Sequence, residues 1–148
     1  MALSAMRKDI PHCGHPRSGQ SDQEAHQKEA DVANQIAVIG AGLMGHGIAQ
    51  VLAAGGHRVI VQDAVPAALA TVHERITANL TRMADYGLVA ADAIPAIVGR
   101  VTCTADLAEA CRGADIVIEA IVENLALKQE LFVKLEELCS DKTILCSN

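Results

Sequence analysis

Past residue 33 the chain alternates short runs of β-branched residues with longer stretches whose apolar positions recur at helical spacing. Residues 36–40 (IAVIG), 58–63 (RVIVQD), 101–104 (VTCT), 115–120 (DIVIEA) and 143–147 (TILCS) are the expected strands. Between the first two, residues 43–54 predict a helix closed by Gly55 and Gly56. Pro66 opens the next helix, in a first turn where its missing N–H costs nothing, and Leu69, Val72, Ile76, Leu80 and Met83 give that helix one apolar stripe. Short helices are expected over 90–98 and 105–111, and a longer one over 124–139 with Leu127, Leu131, Leu135 and Leu138 on a single face. Strands this uniformly apolar, separated by helices, describe a sheet covered on both faces. The fold class is therefore α/β, a doubly wound, mostly parallel sheet of five strands.

The junction of the first strand and first helix carries the clearest chemistry. Gly40-Ala41-Gly42-Leu43-Met44-Gly45 is a G-x-G-x-x-G in which Gly40 makes the tight turn, Gly42 lets a pyrophosphate approach the backbone, and Gly45 lets helix and strand pack closely. The helix then presents free N–H groups and its positive end to the anion. Gly47 extends the small-residue face and is expected to pack on the sheet. The second strand ends in Asp63, 18 residues beyond Gly45. A carboxylate there accepts the adenine-ribose hydroxyls and repels a 2′-phosphate, which favours NAD over NADP.

Composition narrows the partners. Aromatics are 1% of the chain, so no stacking platform for single-stranded nucleic acid exists, and a net charge of −6 argues against a phosphate-backbone binder. Residues 32–56 lack Asp, Glu, Lys and Arg, but six glycines and several polar residues make them a poor membrane span, so none is expected. Five cysteines without a signal-peptide pattern suit a reduced, intracellular and cytoplasmic chain. Residues 1–33 are polar and without apolar period, and are expected to be a disordered leader preceding a domain over 34–148. His12, Cys13, His15 and His26 lie in that leader, where nothing holds ligand geometry, so no metal site is expected.

Two longer strings carry a family resemblance. Residues 36–63, IAVIGAGLMGHGIAQVLAAGGHRVIVQD, resemble the start of the NAD-binding Rossmann domain of 3-hydroxyacyl-CoA dehydrogenases, and residues 114–148 resemble its second half, including the E-A-x-x-E-N segment after the fourth strand. The resemblance implies an oxidoreductase of fatty-acid metabolism that oxidises an L-3-hydroxyacyl-CoA to the 3-ketoacyl-CoA. It also implies NAD contacts at Glu123 and Lys128 and a CoA contact from the helix after the second strand. There Asn79 stands where relatives carry Ser or Asn, Tyr86 stands where a lysine is common, and the surrounding residues resemble the 3-hydroxybutyryl-CoA dehydrogenase branch. The family's catalytic serine, histidine and glutamate, its sixth strand and its helical domain follow the Ser-Asn pair that here is Ser147-Asn148. The expectation is thus a fragment with no catalytic residue of its own, which binds NAD without turnover and is prone to associate as a homodimer or with a completing chain. A non-catalytic NAD-binding module and another hydroxyacid dehydrogenase are the alternatives. Glu119, a carboxylate inside a strand, needs a partner that the sequence does not identify.

Overall fold

The computed structural model describes residues 33–148, so the leader and its histidines lie outside the described residues. Five strands form the sheet: β1 Gln35–Ile39, β2 Arg58–Gln62, β3 Val101–Thr104, β4 Ile116–Glu119 and β5 Ile144–Ser147. Their order is β3-β2-β1-β4-β5 and every pairing is parallel. The helices are α1 Leu43–Ala54, α2 Pro66–Ala70, α3 Val72–Asp85, α4 Ile94–Val98 behind a 3₁₀ turn at Ala91–Ala93, α5 Leu107–Cys111 and α6 Leu125–Leu138.

Alternation along the strands sorts side chains between two cores. Val38, Val59 and Val61 join Ala49 and Ala53 of α1 and Val72, Ile76 and Leu80 of α3 on one face of the sheet. Ala37, Ile39 and Val117 join Ala110 and Cys111 of α5 and Leu135 of α6 on the other. The chain winds from β1 outward to β3, then crosses back to lay β4 on the free side of β1. The connections that leave the carboxyl ends of β1 and β4 therefore run to opposite faces of the sheet, leaving between them the crevice in which such sheets bind ligands.

Two expectations need correction, and the leucine face of α6 proves unevenly buried. The single helix from Pro66 is two, because Thr71 adopts φ −100°, ψ −2° and ends α2 before α3 begins, although the apolar stripe continues across the break. Gly47 does not pack on the sheet: a Cβ there would meet nothing within 4 Å, and it is Gly45, Ala49 and Ala53 that face the strands. Of the four leucines expected on one face of α6, only Leu135 is fully buried. Leu131 packs at the edge of that core, and together with Leu127 it also lines the crevice.

Candidate functional site

Gly40 follows β1 at φ +111°, a backbone region that an L side chain rarely adopts. Its N–H donates to Gln62 O at 2.7 Å, and a Cβ would lie 2.4 Å from Ala120 O. The residue thus seats the loop between the ends of β2 and β4. A Cβ on Gly45 would fall 1.7 Å from Gly40 O, so this glycine lets α1 start directly under the turn. Gly42 differs from both. Its φ of −67° and ψ of −162° suit any residue, and nothing stands within 4 Å of a Cβ there. It caps α1 with no side-chain acceptor and no acid in the first turn, so the helix's first N–H groups look into open space.

A cleft of about 540 Å³ opens in front of that loop. Gly40, Gly42 and Asp63 form its floor, Ala120, Ile121 and Val122 one side, and Leu107 with Leu127 and Leu131 apolar walls. Asp63 is held firmly: one oxygen accepts from Ala41 N–H at 2.8 Å and the other from Val65 N–H at 2.8 Å. Each oxygen keeps a lone pair for a further donor. Glu130 and Lys134 also line the cleft, and sequence reasoning missed them. Their signal was present as the spacing 127, 130, 131, 134, which puts all four on one helix face.

Beside this cleft, the ends of β4 and β5 hold a polar cluster. Glu119 is fully buried, and its carboxylate accepts from Ile121 N–H at 2.7 Å and Ser147 Oγ at 2.6 Å. Lys128, on the first turns of α6, lies 3.3 Å from Glu119 and donates to Glu123 at 2.8 Å and to the backbone oxygen of Asn148 at 2.9 Å. The Glu123 contact, with Glu119 behind it, raises the Lys128 ammonium above its ordinary value of 10.5 against a smaller opposing effect of burial. Glu119 thus has its partners, and the ammonium is tethered beside the mouth of the crevice. Asn124 caps α6 by accepting from Leu127 N–H.

Not every expected residue gathers here. The side chains of Leu43 and Met44 are exposed, and they line a second groove of about 700 Å³ between α1 and α3, together with Gly47, Asn79, Arg82 and Met83. Tyr86 is exposed at the end of α3. No described histidine lines the cleft. His46 is buried with Nδ1 2.8 Å from Gly42 O, His73 Nε2 lies 2.8 Å from Val101 O, and His57 sits at the amino end of β2, away from the crevice.

Comparison with known proteins agrees with this geometry. The family model of the 3-hydroxyacyl-CoA dehydrogenase NAD binding domain matches residues 35–148. The mitochondrial hydroxyacyl-coenzyme A dehydrogenase of Rattus norvegicus is 40% identical over 118 residues, 76% of this chain and 38% of its own length. A probable 3-hydroxybutyryl-CoA dehydrogenase of Bacillus subtilis is 42% identical over 114 residues, covering 77% and 39%. The crystal structure of 3-hydroxybutyryl-CoA dehydrogenase from Escherichia coli superposes with a TM-score of 0.73 at 36% identity, covering 78% of this chain and 24% of that one. The chain belongs to the 3-hydroxyacyl-CoA dehydrogenase family as its NAD-binding domain. It spans about two fifths of the length of the two curated relatives.

Proposed function

We propose, starting from membership of the 3-hydroxyacyl-CoA dehydrogenase family, that this chain is the cofactor-holding part of an enzyme oxidising L-3-hydroxyacyl-CoA to 3-ketoacyl-CoA. The pyrophosphate of NAD rests on the N–H groups at the start of α1, in the space that Gly42 leaves open. Leu43, Met44 and Gly45 contribute backbone there rather than side chains. Asp63 accepts the adenine-ribose hydroxyls with its free lone pairs while its other bonds hold Ala41 in place. The leucines of α5 and α6 suit the planar adenine ring.

Glu123 and Lys128 contact the cofactor from the β4 side. Lys128, already shared between two carboxylates, keeps its charge and has few rotamers to lose on binding. NAD, when bound, supplies the hydride acceptor. The alcohol proton has to pass to a base, and no described histidine stands in the cleft to receive it.

The groove between α1 and α3 is where acyl-CoA lies. Asn79 offers an amide to the CoA, and Arg82, on the same groove, supplies the cation that Tyr86 does not.

The observation that carries the reading is the uncapped start of α1 at Gly42, facing a cleft with Asp63 on its floor. NADH fluorescence titrated against the chain tests it. Saturable binding, weakened in Glu123→Gln and Lys128→Met, is expected; equal binding by both variants removes these residues from the site.

A further inference from the structure

The glycine loop is gripped from behind by a residue that the family signature does not mention. Arg75, half-buried on α3, donates through Nη2 to Ala41 O at 2.6 Å and to Ala68 O at 3.3 Å. Nη1 reaches Gly42 O at 3.4 Å and lies 3.3 Å from His46 Nδ1, while Nε reaches Thr71 O at 3.4 Å. Among the described residues it has no carboxylate within ion-pair distance. Its donors go to backbone carbonyls, two of them in the loop itself. On the opposite side of the same residue, Asp63 accepts from Ala41 N–H. Ala41 is therefore held at its N–H by an anion and at its C=O by a cation.

We propose that Arg75 is a positioning residue for the cofactor, fixing the carbonyls of Ala41 and Gly42 toward α3 so that the loop's N–H groups stay turned toward the cleft. A glycine-rich loop is free to rotate its peptide planes, and a carbonyl turned toward the pyrophosphate repels it where an N–H attracts it. Fixing the planes beforehand removes an ordering cost from binding. The planar fork does this through several carbonyls at once, which a lysine's point charge cannot reproduce. His46 adds to the arrangement, because its Nδ1 faces both Gly42 O and the guanidinium and keeps the helix side of the loop closed.

The inference rests on the reading of this loop as the pyrophosphate site, and the experiment separates the two. Arg75→Lys and Arg75→Met are made in the full 148-residue chain. Affinity for NADH is read by fluorescence, affinity for ADP and for adenosine by competition, and folding by circular dichroism. Arg75→Lys is expected to weaken NADH and ADP together by about tenfold, with adenosine binding and far-ultraviolet ellipticity unchanged. Arg75→Met follows the same pattern more strongly; if it fails to fold, Arg75→Lys still decides. Wild-type affinities in Arg75→Lys overturn the inference and leave the site intact. So does an equal loss for adenosine, which marks general damage. Absence of NADH binding by the unsubstituted chain overturns the reading of the site and the inference with it.

Discussion

Gly42 and Gly45, three residues apart in one glycine motif, should fail in opposite ways. At Gly45 a Cβ would stand 1.7 Å from Gly40 O and 2.8 Å from its carbon, so the loop must retreat by about 1.5 Å to restore ordinary contact. Gly40 has little room to move, since its N–H is bonded to Gln62 O and its other side lies against Ala120. Alanine in a helix gains about 1 kcal/mol over glycine, while overpacking against fixed backbone costs up to about 3 kcal/mol. Gly45→Ala is therefore expected to lose about 2 kcal/mol, lowering the melting temperature by about 10 °C. At Gly42 a new side chain meets no protein atom and the backbone suits it, so Gly42→Val costs under about 1 kcal/mol. Its damage falls on the ligand: a side chain in the pyrophosphate position forfeits charge-assisted hydrogen bonds, and NADH affinity drops by about 100-fold. Thermal melts by circular dichroism and NADH fluorescence titration read the two effects separately. Gly42→Val binding NADH as tightly as the unsubstituted chain refutes the reasoning, as does Gly45→Ala melting at the original temperature.

Other consequences follow from the same contacts. Glu119→Gln removes the charge from a fully buried carboxylate with three donors and is expected to cost about 2 kcal/mol in a urea melt, less when combined with Lys128→Met because the two charges compensate each other. Stability should decline on the alkaline side: burial, then Cys139 beside it, pushes the Cys111 thiol from 9.0 up to about 12, so the unfolded chain ionises first between those values. The raised Lys128 acts in the same direction, its contribution present below pH 10.5 and lost as the pH rises past its folded value, and melts from pH 8 to 12 check both. Cys111 should for the same reason resist thiol reagents at pH 8 until the chain unfolds.

What the sequence makes legible is whatever depends on local pattern. The β-branched runs place all five strands to within a residue or so, and G-x-G-x-x-G marks the turn that Gly40 and Gly45 make sterically necessary. Less legible is anything decided by which element faces which. Leu127 and Leu131 share the helical spacing of the buried Leu135 yet line the cleft, Leu131 while also packing on the core. Gly47 has the right size for the sheet and the wrong angle around the helix. Two of the three partners of Glu119 come from β5 and α6, 28 and 9 residues away, and the two loop carbonyls that Arg75 grips lie more than 30 residues earlier. Such pairings exist only after the strands take the order β3-β2-β1-β4-β5.

The proposed seat of the adenine ribose of NAD is Asp63, on the floor of the cleft. Parallel fluorescence titrations of the chain and of Asp63→Ala with NADH and NADPH test it most directly. Saturable NADH binding and much weaker NADPH binding are expected, with an Asp63→Ala variant that loses NADH affinity by about tenfold while narrowing the gap between the two cofactors. Equal affinity of the unsubstituted chain for both nucleotides, or no change in their ratio on losing Asp63, would contradict it.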